Sequence, residues 1–321
     1  MAGDALVLAI EGGAANWAPE RWKRRFLETC SNRKVALLPH DACAPADVRF
    51  AAVWKPKPGV LAAFPNLRAI FNLGTGVDAL IADPTLPDVP IVRVAVGDLT
   101  SRMTEYVVLH VLLHHRRLLE LMDDQRHRRW QPKEQWAANA LTVGVMGLGT
   151  LGLDAAQVLQ RLGFNIAGWS ARPKSADGIA CFSGNDGFEP FLRRTDILVC
   201  LLPLTPETKH ILNRSVFERL NRNSPLGAPV LINAGRGGLQ VEADILACLD
   251  DGTLGAATCD VFETEPLPAN SPLWPHPKLV VTPHNAADTD PDAISAYVAE
   301  QIERFEAGKS LENVIDLTRG Y

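Results

Sequence analysis

The strongest constraint on the fold of this chain is a glycine-rich segment between an apolar run and an alanine-rich stretch. The apolar run covers residues 141–146, the pattern G-x-G-x-x-G occupies residues 147–152, and a predicted helix follows over residues 154–162. A strand, this glycine pattern and a helix in that order are typical of a βαβ unit that binds a dinucleotide. The context makes a chance match of the pattern improbable, since all three parts are present in order.

Each position of the glycine pattern has a physical task. Gly147 permits the tight turn after the strand, and Gly149 lets the backbone approach a pyrophosphate. Gly152 allows the helix to pack closely on the strand. The first turn of the helix, with Thr150 and Leu151, presents backbone N–H groups to the anion. The segment therefore predicts a phosphate-binding loop.

Short apolar runs alternate with amphipathic stretches along the rest of the chain, which indicates βαβ units and parallel sheets. In the first series, strands are predicted over residues 6–10, 35–38, 51–54, 69–72 and 91–94. In the second series, strands are predicted over residues 141–146, 165–169, 197–201, 230–233, 256–261 and 279–282. One long helix from Thr100 to about Gln125 joins the two series, and a helix over residues 291–306 returns to the first domain.

This organisation predicts an α/β protein with two doubly wound parallel-sheet domains of the Rossmann type and an active site in the cleft between them. We expect residues 1–99 and 287–321 to form a discontinuous substrate-binding domain. Residues 100–286 are expected to form the dinucleotide-binding domain.

Composition narrows the class of partner. The 321 residues, 47% hydrophobic and 21% charged, suit a globular protein of two domains. The net charge of −5 provides no basic field for nucleic acid or an anionic membrane. Every apolar run is shorter than the roughly 20 residues that a membrane-spanning helix needs. Six scattered cysteines, several in apolar runs, are expected to be buried free thiols, which favours the reducing cytoplasm.

The end of the second strand of the dinucleotide domain bears on the choice of cofactor. A site for NAD carries an acidic residue about 20 residues after the glycine pattern. Here that place holds Ser170, Arg172 and Lys174. Ser170 can donate a hydrogen bond to a 2′-phosphate, and the two cations supply charge. The pattern predicts NADP(H) and makes NAD(H) the less favoured cofactor, unless Arg172 and Lys174 are only solvated surface cations.

Three further polar residues each follow a predicted strand of the second series. Arg236 lies in the segment 230–237, Glu265 in 259–266 and His284 in 280–285. The carboxyl ends of the strands are where a doubly wound sheet builds its binding site. Each residue alone is a weak signal, but their order and positions favour a catalytic set.

These segments, with the glycine pattern and Leu202-Pro203-Leu204-Thr205-Pro206, resemble the D-2-hydroxyacid dehydrogenase family over nearly the whole chain. Four segments are most similar to the members that reduce glyoxylate and hydroxypyruvate, namely residues 103–107, 169–170, 271–274 and 319–321. Thr75, where the family often has Ala, and Asn285 beside His284 depart from the family pattern. These departures concern the preference among substrates.

The resemblance implies the reduction of a small 2-oxo acid to a 2-hydroxy acid by hydride transfer from the nicotinamide. His284 would donate the proton to the carbonyl oxygen, and Glu265 would favour the imidazolium and fix its orientation. Arg236 would bind the substrate carboxylate in a fork and polarise the carbonyl. The expected substrates are glyoxylate and hydroxypyruvate.

The resemblance implies further contacts as well. The residues that it places at the substrate, besides Arg236 and His284, are Trp54, Lys55, Gly74, Thr75, Gly76 and Trp274. The residues that it adds to the cofactor site are Leu202, Pro203, Ala234, Gly235 and Asp260. It also implies a homodimer formed largely by the cofactor domains.

Two other functions stay open at this point. The first keeps the fold and the chemistry but takes a bulkier or phosphorylated acid. The second is a dinucleotide-sensing binding protein, against which the complete set of Arg236, Glu265 and His284 argues. No metal site is predicted, because His110, His114 and His115 on one helix have no convincing third ligand nearby and suit helix packing.

Overall fold

The computed structural model describes residues 4–11, 17–74, 76–94, 97–288 and 290–316. The chain divides into two compact units. The first unit consists of Met1–Leu99 and Asp288–Tyr321, and the second unit is Thr100–Ala287. Each unit is built around its own parallel sheet.

The secondary structure alternates between strands and helices in both units. The strands in chain order are β1 (Ala5–Ile10), β2 (Lys34–Leu37), β3 (Val48–Trp54), β4 (Ala69–Asn72), β5 (Ile91–Arg93), β6 (Thr142–Met146), β7 (Asn165–Ser170), β8 (Ala180–Ser183), β9 (Ile197–Cys200), β10 (Val230–Asn233), β11 (Ala256–Cys259) and β12 (Leu279–Val281). The α-helices are α1 (Pro19–Thr29), α2 (Asp78–Ile81), α3 (Gly97–His115), α4 (Leu118–Arg126), α5 (Thr150–Arg161), α6 (Gly184–Leu192), α7 (Arg214–Phe217), α8 (Glu242–Asp250) and α9 (Pro291–Glu306). Short 3-10 turns occupy Pro45–Asp47, Leu61–Ala63, Ala138–Ala140 and Gly237–Leu239.

The sheet of the first unit has the strand order β2-β1-β3-β4-β5, and all its pairs are parallel. Apolar side chains cover both faces, as burial of a parallel sheet requires. On one face, Trp22 and Phe26 of α1 pack with Ile294, Val298 and Ile302 of α9. The C-terminal helix thus packs in the core of the first unit.

The sheet of the second unit has the order β12-β11-β10-β9-β6-β7-β8, again with every pair parallel. The chain direction across the sheet reverses at β6, which pairs with β7 on one side and β9 on the other. Helices α3 and α5 cover one face, and α6 and α8 cover the other. A ligand of such a sheet binds at the carboxyl ends of the strands beside this reversal.

The predicted fold class, an α/β protein with two doubly wound parallel sheets, is confirmed. Three details of the structure differ from the prediction. The single long helix is two helices, because Arg117 adopts a left-handed conformation with φ of 55° between α3 and α4, and α3 starts at Gly97 instead of Thr100. Strand β8 was not predicted, because it is a short edge strand whose side chains are only partly buried.

Within the part of the chain that the structure describes, every helix is too short or too polar to cross a membrane.

Candidate active site

The candidate site lies at the carboxyl edge of the second unit's sheet. Because all strands of this sheet run parallel, the residues that follow them collect at one edge. The sequence-predicted residues at this edge are Gly147, Gly149, Thr150, Leu151, Gly152, Ser170, Arg172, Lys174, Leu202, Pro203, Ala234, Gly235, Arg236, Asp260, Glu265 and His284. The structure thus brings both the predicted cofactor residues and the predicted catalytic residues of this unit to the same edge.

The glycine loop joins β6 to α5 with geometry that requires glycine at two positions. Gly147 has φ of 110°, and its N–H donates to the carbonyl of Trp169 over 2.9 Å. A Cβ atom at Gly152 would lie 2.0 Å from the carbonyl oxygen of Gly147, so a side chain there would push the helix off the loop. These two residues bring the start of α5 directly against the turn.

The N-terminus of α5, next to this turn, has no side-chain cap and has free space beside Gly149. Gly149 is the N-cap residue of the helix, and no side chain caps the first turn. A Cβ atom at Gly149 would meet nothing within 4 Å. The N–H groups at the start of a helix have no acceptor within it, so Thr150, Leu151 and Gly152 offer donors and a positive dipole end to an anion.

The segment after β7 places positive charge at the same loop. Lys174 donates from Nζ to the carbonyl oxygen of Leu148 over 2.5 Å, so its ammonium group lies against the glycine loop. Ser170 is buried and donates from Oγ to the carbonyl oxygen of Arg172 over 2.7 Å. Residues 168–176 contain no acid. Two cations, a hydroxyl and no carboxylate fit a phosphate on the 2′-oxygen better than a bare ribose diol, so these residues fit NADP(H).

The loops after β9 and β10 pack against one another at the middle of the edge. Leu202 and Ala234 are buried, and a Cβ atom at Gly235 would lie 2.9 Å from the carbonyl oxygen of Leu202. Thr208 donates to the carbonyl oxygen of Pro203 over 2.7 Å, which fixes the first of these loops. The two loops therefore form a tight wall beside the glycine loop.

Arg236 follows this wall and is half-buried. Its Nη1 donates to the carbonyl oxygen of Gly235 over 2.7 Å. The buried Asn233 holds the turn, because its amide nitrogen donates to the backbone oxygen of Arg236 over 3.3 Å and to Gln240 over 2.8 Å. The local structure thus holds the Arg236 backbone rigidly at the end of β10.

Glu265 and His284 form a hydrogen-bonded pair. His284 Nδ1 lies 2.7 Å from Oε2 of Glu265, and the two side chains are 32% and 26% exposed. The second carboxylate oxygen of Glu265 accepts from the backbone N–H of Phe262 over 3.1 Å. Because a carboxylate only accepts, Nδ1 carries a proton and Nε2 is the ring nitrogen that can deliver one to a substrate.

Asp260, which the resemblance places at the cofactor, is bound to the loop that carries His284. It is 1% exposed, and both carboxylate oxygens already accept hydrogen bonds from the loop that carries His284. Its observed contacts are thus to this loop. One of its donors, the hydroxyl of Thr282, was not singled out in the sequence, where it shows only as part of the segment before His284.

Trp274 lies in the second unit between Glu265 and His284 in the sequence. Its side chain is about half exposed, and its Nε1 donates to the carbonyl oxygen of Pro268 over 3.0 Å. The indole is thus tied to its own loop and presents a large apolar face.

The predicted substrate residues of the first unit cluster at the end of β3 and in the loop after β4. A Cβ atom at Gly74 would lie 1.8 Å from the indole of Trp54, and Nζ of Lys55 lies 5.5 Å from the centre of a Trp54 ring. Trp17, which the sequence analysis did not identify, stacks on Trp54 with ring centroids 4.1 Å apart. The structure brings these residues together in a packed aromatic cluster.

The loop after β4 is held by hydrogen bonds from the side chain of Asn72. Asn72 is buried and donates to the carbonyl oxygens of Gly74 over 2.6 Å and Gly76 over 3.0 Å. Thr75, also predicted at the substrate, lies outside the described residues, as do residues 319–321.

The three histidines of α3 are packing residues. His110 bonds through Nδ1 to the carbonyl oxygen of Tyr106 over 2.8 Å, and His114 bonds through Nε2 to the hydroxyl of Thr258 over 2.8 Å. Burial lowers the pKa of His114 to about 3 and lowers that of His110 and His115 as well. Among the residues with described coordinates, no group of three or more His, Cys, Asp or Glu side chains could hold a metal ion.

Comparison with protein families places this edge in a known context. Residues 108–286 match the model of the family described as D-isomer specific 2-hydroxyacid dehydrogenase, NAD binding domain. The chain is 40% identical to a glyoxylate/hydroxypyruvate reductase A of Yersinia enterocolitica, covering 86% of this chain and 88% of the relative. It is 39% identical to a protein of the same name from Escherichia fergusonii, covering 88% of this chain and 89% of the relative.

Solved structures are similar over nearly the full length. An NADPH-dependent glyoxylate/hydroxypyruvate reductase from Sinorhizobium meliloti, in complex with NADP and sulfate, superposes with a TM-score of 0.94 at 42% identity, covering 99% of this chain and 100% of the other. A probable 2-hydroxyacid dehydrogenase from Rhizobium etli, in complex with NADP, HEPES and L(+)-tartaric acid, gives a TM-score of 0.92 at 42% identity and covers 99% of both chains.

Proposed function

Because the chain belongs to the D-isomer specific 2-hydroxyacid dehydrogenase family, we propose that it is an NADP(H)-dependent reductase of small 2-oxo acids, glyoxylate and hydroxypyruvate. The family inferred from the sequence motifs is confirmed by these comparisons. The observation that carries the assignment is the hydrogen bond of 2.7 Å between His284 and Glu265 at the sheet edge that also holds the glycine loop.

The chemistry of the reaction divides between the cofactor and the side chains. When bound, the nicotinamide supplies the hydride that reduces the 2-carbon of the acid. His284 delivers the proton from Nε2 to the carbonyl oxygen, which becomes negative as the hydride arrives. Glu265 keeps the ring oriented through Nδ1 and stabilises its positive charge.

Arg236 is proposed to bind the substrate carboxylate and polarise the adjacent carbonyl. A guanidinium can make two parallel hydrogen bonds to a carboxylate, which orients the acid as well as attracting it. The net charge of −5 makes such a local cation necessary, since the protein as a whole repels anions.

The two units are proposed to divide the binding work. The second unit binds NADP(H) through the glycine loop, through the Ser170, Arg172 and Lys174 segment, and through the wall formed by the loops after β9 and β10. The residues proposed for the substrate, besides Arg236 and His284, are Trp54, Lys55, Gly74 and Gly76 of the first unit and Trp274 of the second unit.

We further propose that the enzyme works in the cytoplasm as a homodimer. All six cysteines are free thiols, and four of them are buried, which suits a reducing compartment. The mass of the protein in solution by light scattering tests the dimer, and a single chain of 34.9 kDa at micromolar concentration would contradict it.

The direct test of the proposed function is the rate of NADPH oxidation with glyoxylate, hydroxypyruvate, pyruvate and bulkier 2-oxo acids, repeated with NADH. The expected result is fast turnover of glyoxylate and hydroxypyruvate with NADPH and a lower kcat/KM with NADH. If only bulky or phosphorylated acids are turned over, the proposed mechanism stands but the proposed substrates are wrong. Tight NADPH binding without turnover of any acid would indicate a dinucleotide sensor.

The cofactor preference has its own variant. Replacing both Arg172 and Lys174 by Ala removes the cations proposed to pair with the 2′-phosphate, so the preference for NADPH over NADH should fall by about 10-fold or more. The rate with NADH is the matched control and should change little. An unchanged preference for NADPH over NADH would show that Arg172 and Lys174 are solvated surface cations that do not bind the 2′-phosphate.

A further inference from the structure

The backbone at His284 is held in a conformation that a histidine seldom adopts. Its φ is 52°, in the left-handed region, where the Cβ atom of a non-glycine residue comes close to the following carbonyl oxygen. Such a conformation persists only where surrounding contacts determine it. The direction of the imidazole therefore depends on what holds the loop of residues 282–286.

Asp260 binds this loop on both sides of His284. Its backbone oxygen accepts from the N–H of His284 over 2.8 Å. Its carboxylate accepts from the N–H groups of Asn285 and Ala286, each over 3.0 Å. These three bonds close the loop into one conformation around a carboxylate that is 1% exposed.

Thr282 adds a fourth bond from the other side of the loop. Its Oγ1 donates to Oδ1 of Asp260 over 2.6 Å. The hydroxyl of Tyr106 lies 2.7 Å from the same Oγ1. A threonine hydroxyl has one hydrogen, and here that hydrogen goes to the carboxylate. The Tyr106 hydroxyl is therefore the donor, and the bonds run in one direction from Tyr106 through Thr282 to Asp260.

Tyr106 is suited to the role of a fixed donor. It lies on α3, packed in the core of the second unit, with 8% of its surface exposed. Burial raises its pKa, so its hydroxyl stays protonated. The ring of His110 packs against it with centroids 4.0 Å apart. The hydroxyl is thus held in place by the helix rather than by the loop.

We propose that Tyr106 and Thr282 are positioning residues for the proton donor, acting through Asp260 on the conformation of the His284 loop. This inference rests on the proposed role of His284 in the reaction. Neither residue touches the reacting atoms. They act by keeping Nε2 of His284 at the place and angle from which it delivers its proton.

The tests are Thr282→Val, which keeps the shape of the side chain, and Tyr106→Phe, which removes one hydroxyl. A misplacement of about 1 Å at a catalytic group costs up to about 100-fold in rate, so we expect kcat with glyoxylate and NADPH to fall about 10-fold in each variant. The KM for glyoxylate and the Kd for NADPH should stay within about twofold, since Arg236 and the glycine loop are untouched.

A second readout separates positioning from a general loss of structure. If the proton arrives from a poorly placed ring, proton delivery becomes slower relative to the other steps, and the solvent isotope effect on kcat rises. Thr282→Ser restores the hydroxyl, so it should recover most of the lost kcat and the original isotope effect.

Thr195 provides the matched control. It is fully buried at the opposite, amino-terminal edge of the same sheet, and its Oγ1 donates to the carbonyl oxygen of Phe191 over 2.8 Å. Thr195→Val also removes the hydrogen bond of a threonine hydroxyl inside this sheet, so it should lower Tm and leave kcat and the isotope effect unchanged.

The outcomes distinguish this inference from the proposed function. If Thr282→Val and Tyr106→Phe keep the wild-type kcat while His284→Asn is inactive, the positioning role is wrong and the proton donor stands. If His284→Asn itself keeps the wild-type kcat, the proposed function fails and the inference fails with it. An equal loss of kcat in Thr195→Val would also overturn the positioning role, because it would make the effect a consequence of lower stability.

Discussion

At the scale of single residues, the function depends on one side chain being held by others. His284 is oriented by Glu265 through its ring and by Asp260 through its backbone. Both contacts come from the segment that follows β11, while His284 follows β12. The neighbouring strands of a parallel sheet therefore supply both the proton donor and the groups that position it.

The charge on Glu265 should matter more than its ability to form a hydrogen bond. Glu265→Gln keeps a side chain of the same size but removes the negative charge beside the imidazolium, so we expect kcat for glyoxylate reduction to fall about 10- to 100-fold. Steady-state rates with saturating NADPH measure this loss. Glu263→Gln is the control, since Glu263 is exposed and binds the backbone of Glu242. An equal loss in both variants would contradict the assigned role.

At the scale of elements, two glycines at the turn between β6 and α5 have different roles. Gly152 allows close packing within the protein, whereas Gly149 leaves space for the cofactor. Gly152→Ala would place a Cβ atom 2.0 Å from the carbonyl oxygen of Gly147, so it should lower the Tm of the protein without cofactor and weaken NADPH binding. Gly149→Ala meets no protein atom within 4 Å, so its Tm should stay at the wild-type value while NADPH binding weakens. Thermal unfolding without cofactor and NADPH titration measure the two effects. Wild-type affinity in Gly149→Ala would show that no phosphate approaches this backbone.

Much of the element order could be predicted from sequence, because buried parallel strands are short apolar runs and the loop between β6 and α5 has its own glycine pattern. Strands β4 and β10 were predicted with their observed bounds. The break at Arg117 could not be predicted, since neither Pro nor Gly marks it and the conformation depends on tertiary contacts. Strand β8 has only four residues, and the sequence signal of so short an edge strand is weak.

The candidate site was predictable to the extent that residues follow strands. Arg236 and His284 lie shortly after β10 and β12, and Glu265 lies farther along the segment after β11, so their positions after parallel strands bring them to one edge. The bond from Tyr106 to Thr282 joins residues 176 positions apart, and the stacking of Trp17 on Trp54 joins a residue before α1 to the last residue of β3. Contacts of this kind depend on packing, which periodicity and motifs do not encode.

At the scale of the whole molecule, the buried histidines of α3 make the free energy of unfolding depend on pH. The pKa of His114 is about 3 in the folded protein and near 6.5 when unfolded, so only the unfolded chain takes up a proton between these values. Stability is therefore fully present above pH 6.5 and is lost as the pH falls toward 3, by roughly 1.4 kcal/mol for each pH unit.

Thermal unfolding at pH 7.5 and pH 5.5 checks this expectation. The Tm of the wild-type protein should be lower at pH 5.5 than at pH 7.5. In His114→Gln this difference in Tm should be smaller, because Gln can still bind Thr258 but takes up no proton. His127→Gln, at an exposed position after α4, is the control and should keep the wild-type difference. If His114→Gln also keeps the wild-type difference in Tm, other titratable groups cause the loss of stability in acid.

The measurement that tests the central claim most directly is the single-turnover rate of glyoxylate reduction by His284→Asn with NADPH already bound. Asn is similar in polarity but cannot act as the acid, so the rate should fall by about 100- to 10,000-fold while NADPH affinity stays unchanged. A rate within about threefold of wild type, at unchanged affinity, would be far smaller than the loss of a general acid causes and would contradict the account.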